Sequence, residues 1–305
     1  MASIVWDDDL SPDRFRDLTR AYFDTRSATY NSSFHQLLAD DLLRHFPPPP
    51  GGDVLDVAAG TGAVALSVAA TFAVRALRIG VGTSNDLGNI GRVVAYDLSP
   101  GMLSVATASA RAAGLDHLLT PMLGTAEGLP GLTDCSFDAV YCCSSLAYFV
   151  NVPSAIAAWA RVLRPGGFAA YQSFSVDSFV AGVAMAAAVR RVLGENDGRR
   201  VFSLPLESTA DPETCVALLT AAGFERVAVV EEDLTRRVDV ASLTSAYEEP
   251  QNPNSFCTRL NGLDPTTRAA VQAAYVAEVE ARRGADGSVE DVQRSFNVIG
   301  YKPMQ

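Results

Sequence analysis

The sequence predicts an α/β fold built on an open, doubly wound sheet. Three observations predict it. Short apolar runs of strand length alternate with helical segments from residue 53 onward. The first run ends in a turn of glycines and alanines that opens directly into a helix. Several of these runs begin or end on an acid. In such a sheet ligands bind outside the carboxyl ends of the strands, so those ends are where function is read.

Residues 1–50 read as an N-terminal helical cap with a polar face. Helical spacing runs from Arg14 to Phe23 and from Ser33 to Phe46, and Pro47–Pro50 make a stiff linker into the first strand. Residues 51–175 read as the ligand-binding core. Val54-Leu55-Asp56-Val57 is a buried strand, Ala58-Ala59-Gly60-Thr61-Gly62 the turn, and Ala63–Ala70 the helix. Small side chains leave room for a ligand against the backbone, and the helix start offers free N–H groups. Asp56 excludes a pyrophosphate there, because the carboxylate would repel it. It suits a cationic ligand, such as one with a sulfonium and an α-ammonium group.

The second strand, Arg92–Asp97, ends on an acid placed to accept both hydroxyls of a ribose. Ser99 caps the next helix, with Pro100 at its first position. Gly124–Pro130 is a third piece. Ser136–Ser144 is an acid-led strand, and Arg161–Phe168 is a helix end, a tight turn and the next strand.

These five motifs, in this order, resemble class I S-adenosylmethionine-dependent methyltransferases. They are most similar to the small-molecule branch that includes the ubiquinone and menaquinone biosynthesis enzymes. The resemblance covers about residues 50–175. It implies a Rossmann-like sheet of seven strands, mostly parallel with an antiparallel last strand, plus N-terminal helices and helical lid insertions. It also implies S-adenosylmethionine as cofactor, S-adenosylhomocysteine as product, and a small-molecule acceptor. Carried over position by position, the cofactor residues are Tyr30, Asp56, Ala58, Gly60, Thr61, Gly62, Asp97, Leu98, Met102, Thr125, Ala126, Glu127, Cys143 and Ser144.

The chain departs from the family pattern in three places. Ala58 stands where the first glycine of the turn is usual, which is tolerable where φ is negative. Thr125 stands where an Asp usually holds the adenine amino group, leaving that task to the Ala126 backbone and the Thr125 hydroxyl. The gap from Asp56 to Asp97 is about twice the roughly 20 residues of the usual dinucleotide-type unit. The surplus, residues 71–91, reads as an inserted surface loop rich in glycine and asparagine.

The C-terminal part, residues 176–305, is expected to complete the core with a helix and strand over 211–235 and a last strand over 295–302. Helical substrate lids are expected at 176–205 and 236–290. Methyl transfer needs alignment and exclusion of water more than it needs acid–base groups. Among the three histidines, His35 in the cap is the candidate base, with packing as its other reading; His45 and His117 read as structural and solvated. Tyr148, after the fourth strand, is either catalytic or a rim residue. Asp138, at the start of that strand, reads as structural.

Composition narrows the partners. A formal net charge of −11, with Lys302 the only lysine, repels polyanions and argues against nucleic acid. The five cysteines form no Cys-x-x-Cys pair and imply a reduced, cytoplasmic compartment. No leader and no apolar run of about 18 residues is present, so no membrane span is expected. No His/Asp/Glu cluster predicts a metal, and no Asn/Asp-Pro-Pro-Tyr motif predicts amide or adenine methylation. The competing readings are a cofactor-binding enzyme of this fold that does not methylate, such as a cyclase, and a nicotinamide-dependent oxidoreductase. Asp56, the long gap and the missing Tyr-x-x-x-Lys pair stand against the second.

Overall fold

The structure is a computed structural model, and it describes residues 11–30, 33–79, 90–175, 178–194, 209, 211–245, 260 and 262–304. The chain begins with helices α1 (Pro12–Arg26) and α2 (Ser33–His45). Then come β1 (Asp53–Val57), α3 (Ala63–Ile79), β2 (Arg92–Asp97), α4 (Pro100–Ala112), β3 (Leu119–Leu123) and β4 (Phe137–Cys143). Next are α5 (Val152–Val162), β5 (Leu163–Phe174), α6 (Val180–Leu193) and α7 (Pro212–Ala221). The last elements are β6 (Glu225–Asp239), α8 (Val240–Ser245), α9 (Pro265–Glu280) and β7 (Ser288–Tyr301).

The strands form one seven-stranded sheet in the order β3-β2-β1-β4-β5-β7-β6. β1 pairs in parallel with β2 on one side and β4 on the other, β2 with β3, and β4 with β5. The last strands are antiparallel; Gly166 N donates to Lys302 O and Lys302 N to Gly167 O. The order reverses at β1, so the crevice beyond β1 and β4 is the natural ligand site.

Two compact units emerge from the contacts. One comprises Phe23–Ser173, Pro212–Val230 and Asn297–Gln305. In it, Val54, Leu55 and Val57 of β1 are fully buried, which explains why that strand reads as a continuous apolar run. Ala65, Val68, Ala69 and Phe72 of α3 pack in the same core. Each large buried side chain of this kind contributes about 1.5–3 kcal/mol. At the amino ends of the strands Arg164 bridges Asp53 and Asp138 at 2.6 Å each, and Asp53 N donates to Asp138 at 2.7 Å. Asp138 is therefore tied into the frame at the end remote from the ligand crevice.

The other unit comprises Met1–Tyr22, Phe174–Asp211 and Glu231–Phe296. Its core joins α6, α8 and α9 through Met185, Val189, Leu243, Val271 and Tyr275, and the Tyr275 hydroxyl donates to Leu243 O at 2.6 Å. Asp264 starts α9 by accepting from Thr266 N and Thr267 N at 3.0 Å each.

The structure corrects three expectations. Residues 71–79 are not loop: α3 continues to Ile79, because alanines and apolar residues sustain its stripe until the glycine at 80. Positions 80–89 lie outside the described residues, as do Pro250 and Pro253. The stretch 236–290 is not helical throughout, since β6 runs to Asp239, and the last strand begins at Ser288 rather than 295. The reason lies in burial. On β7 the residues facing inward include Asp291, Gln293 and Ser295, while Glu290, Val292 and Arg294 are exposed. A strand with polar residues on its buried face shows no apolar alternation to read. Among the described residues no helix is long and apolar enough to cross a membrane.

Candidate functional site

The site grows from the turn after β1. Ala58, Gly60 and Gly62 have φ of 56°, 56° and 90°. Three positive φ values within five residues turn the chain sharply from the strand into α3. A Cβ on Gly62 would stand 3.1 Å from the Ala106 Cβ, so glycine there lets α4 pack close. A Cβ on Gly60 would meet nothing within 4 Å, so open space lies above the turn. Ala58 overturns the condition placed on it: its φ is positive, and alanine pays about 1 kcal/mol for that conformation.

Two buried acids face this turn. Asp97 is 8% exposed; its Oδ2 accepts from Gly60 N and its Oδ1 from Ser99 N, both at 2.8 Å. Burial raises its pKa against the pull of those amide bonds. Asp56 is 1% exposed and accepts from Ala65 N at 3.0 Å. Burial pushes its pKa up to about 8, the Ala65 bond opposes this, and the Asp97 charge adds to it. Among the described residues no arginine or lysine pairs with either acid. The donor set thus fits a ligand that brings its own positive charge and hydroxyls.

Over the turn lies an open cleft. Its walls include Asp56, Ala58, Gly60 and Thr61 from the turn, Cys143–Ser145 from the end of β4, and Tyr30 and His35 from the N-terminal cap. The Tyr30 hydroxyl and His35 Nε2 are 3.0 Å apart and the two rings stack at 4.4 Å. Burial, then the neighbouring Tyr148, push the Tyr30 phenol above its usual range. Phe23 packs edge-on against Tyr148 at 4.9 Å and Tyr30 at 5.8 Å.

Residues 55–171 match the family model described as a methyltransferase domain. The chain carries a methyltransferase domain and is an enzyme that transfers methyl groups from S-adenosylmethionine. It is 27% identical to a nocamycin O-methyltransferase of Saccharothrix syringae over 271 residues, 85% of this chain and 90% of that one. It is 26% identical to a ubiquinone/menaquinone biosynthesis C-methyltransferase of Shewanella frigidimarina, covering 79% of this chain and 91% of the other. Among solved structures it resembles phosphoethanolamine N-methyltransferase 2 of Haemonchus contortus, with a TM-score of 0.55 and 17% identity, over 95% of this chain and 60% of that one. That likeness shows the fold.

In this methyltransferase the cleft gathers Tyr30, His35, Asp56, Ala58, Gly60, Thr61, Cys143 and Ser144, all singled out from the sequence. Gly62 lies behind the turn, against α4. Asp97 touches the turn through Gly60 N, Leu98 follows it half-buried, and Met102 is buried with its amide on the Ser99 hydroxyl. Thr125 donates its hydroxyl to Glu127 O at 3.2 Å, and Ala126 between them is half-buried. The Glu127 carboxylate accepts from Val150 N at 2.8 Å, so it braces the loop before α5. Tyr148 packs on Phe23 at the rim. His117 is exposed, and His45 lies 3.8 Å from Asp41.

Sequence reasoning missed Ser145, whose hydroxyl donates to Cys143 O at 2.7 Å and shapes the end of β4. It also missed Asp24, which accepts from Gly101 N at 2.9 Å and from the Ser99 hydroxyl. A single acid near the end of a helix carries no signal of so distant a partner.

Proposed function

We propose that this methyltransferase methylates an acidic hydroxyl oxygen on a small, partly apolar acceptor. The observation that carries the reading is the histidine–phenol pair, Tyr30 and His35, in the cleft above the glycine turn. The O-methyltransferase relative, aligned over most of both chains, supports oxygen as the acceptor atom.

Asp97 would hold the ribose hydroxyls, and Asp56 with the turn would face the cationic amino-acid end of S-adenosylmethionine. Leu98, Met102, Thr125 and the Ala126 backbone would bed the adenine. The cofactor supplies a methyl group on a good, neutral leaving group, so the protein's work is alignment, exclusion of water and one proton transfer. The Tyr30–His35 bond can run in either direction with the histidine tautomer. With Nε2 unprotonated, His35 receives the Tyr30 proton while Tyr30 takes that of the acceptor hydroxyl.

Calorimetric titration with S-adenosylhomocysteine and, separately, NAD tests the cofactor site; binding of the first alone is expected. A panel of hydroxylated acceptors with a ¹³C-labelled methyl donor then tests the atom. A label on oxygen, and a turnover at least tenfold lower in His35→Ala, are expected. A label on carbon or nitrogen would overturn the assignment.

A further inference from the structure

We infer that Asp24 is a positioning residue: its carboxylate latches the Phe23–Tyr30 segment to the start of α4 and couples that segment to the cofactor site. The inference rests on the reading of Asp97 as the ribose-binding acid.

The start of α4 has few donors to offer. Pro100 has no N–H, and Met102 N is taken by the Ser99 hydroxyl at 3.1 Å. Gly101 N is the amide left over, and Asp24 Oδ1 accepts from it at 2.9 Å. The same oxygen accepts from the Ser99 hydroxyl. A carboxylate at a helix N-terminus is favoured by both the free amides and the dipole. Gly101 itself shows how closely the segment sits: a Cβ there would stand 2.8 Å from the Ser27 hydroxyl and 3.1 Å from Asp24 Oδ1.

From Ser99 the connection reaches the site directly. Ser99 N donates to Asp97 Oδ1 at 2.8 Å, and Asp97 Oδ2 accepts from Gly60 N at 2.8 Å. One hydroxyl-bearing residue therefore joins the latch to the ribose acid and the turn. At the other end of the segment, Phe23 packs against Tyr148 and Tyr30, and Tyr30 lines the cleft. Whatever fixes Asp97 also fixes Ser99, and Ser99 fixes the strap that carries Tyr30. The Asp24 charge also acts on Asp97 through space, raising its pKa.

The test measures S-adenosylhomocysteine affinity by calorimetry and hydrogen exchange of residues 23–30 with and without that ligand. In the unaltered protein the ligand should slow exchange in this segment. Asp24→Ala should weaken binding about tenfold and abolish the ligand-dependent slowing. Asp24→Asn retains an oxygen for Gly101 N and the Ser99 hydroxyl, and should restore both to within about threefold. Gly101→Ala crowds Ser27 and Asp24 with its Cβ while keeping the Asp24 side chain, and should mimic Asp24→Ala, which keeps the test available if that variant does not fold. Wild-type affinity and slowing in Asp24→Ala, or no rescue in Asp24→Asn, overturns the latch. Asp97→Ala separates the two ideas: if it still binds the ligand, the cofactor reading itself fails, whereas if it does not while Asp24→Ala binds normally, only the latch fails.

Discussion

Asp56 and Asp291 are both buried to about 1% exposure, and the fold treats them in opposite ways. Asp291 accepts from Val180 N at 2.7 Å, from Gln293 Nε2 at 2.7 Å and from Arg236 Nε at 2.9 Å. Its charge is neutralised and its oxygens are occupied, so it starts α6 and holds β7 to it. Among the described residues Asp56 has one amide donor and no cation, with a second buried acid, Asp97, nearby. A saturated buried acid is architecture. A buried acid left short of partners carries a cost that a proton or a ligand's positive charge relieves.

The largest effects should come from exchanging these roles. Asp291→Ala removes the acceptor of Val180 N and Gln293 Nε2 at the start of α6, and should cost about 1–3 kcal/mol of stability. It should leave S-adenosylhomocysteine affinity nearly unchanged where the chain still folds. Asp97→Ala should do the reverse, weakening that affinity by 100-fold or more with a small change in melting temperature. Calorimetry and thermal melts on both variants decide it. An Asp291→Ala protein that folds normally but loses ligand would erase the distinction.

Asp56→Asn sharpens the contrast through pH. The ligand-free carboxyl titrates at about 8, against 3.8 in an unfolded chain. Between those values the folded chain holds a proton that the unfolded chain lacks, so stability falls as pH rises from about 4 to 8. Asparagine carries no such proton. The variant should therefore melt higher than wild type at pH 8, by an amount worth a few kcal/mol, and match it at pH 4. It should also bind S-adenosylhomocysteine less tightly at pH 8. Equal melting temperatures at both pH values would mean that Asp56 is ionised and satisfied already.

The same proton should appear in binding. Below pH 8 the cationic end of the ligand favours an ionised Asp56, so binding releases a proton. Affinity should rise with pH up to about 8, at most tenfold per unit, and then level. Titrations at pH 7 in buffers of different ionisation enthalpy should show release of close to one proton. Zero release would count against a cation at Asp56.

Legibility in the sequence divides along the same line. The turn after β1 announces itself because its constraints are local: small residues, a strand before, a helix after. The capping at Ser99 is readable for the same reason. β7 hid its length because Asp291, Gln293 and Ser295 put polarity on a buried face. Asp24 was invisible because its partners, Ser99 and Gly101, lie far along the chain. The clustering of Tyr30 with His35 was half legible. Their spacing puts them near each other, but the stacking and the hydrogen bond depend on Phe23 and Tyr148 behind them.

The smallest effect concerns the turn's own strain. Ala58 adopts φ of 56°, a region that costs an alanine about 1 kcal/mol and glycine nothing. Ala58→Gly removes that cost but adds freedom to the unfolded chain, which returns part of the gain. The net should be a stabilisation of about 0.5 kcal/mol. No described partner is lost, since Ala58 contributes to the site through its backbone, with its carbonyl 3.5 Å from the Ser145 hydroxyl. Ligand affinity should therefore stay within about twofold. A chemical-denaturation series with and without S-adenosylhomocysteine reads both quantities. A destabilised glycine variant would show that the methyl group packs against something worth more than the strain, and that alanine at the head of this turn is a choice of the fold rather than a tolerated departure.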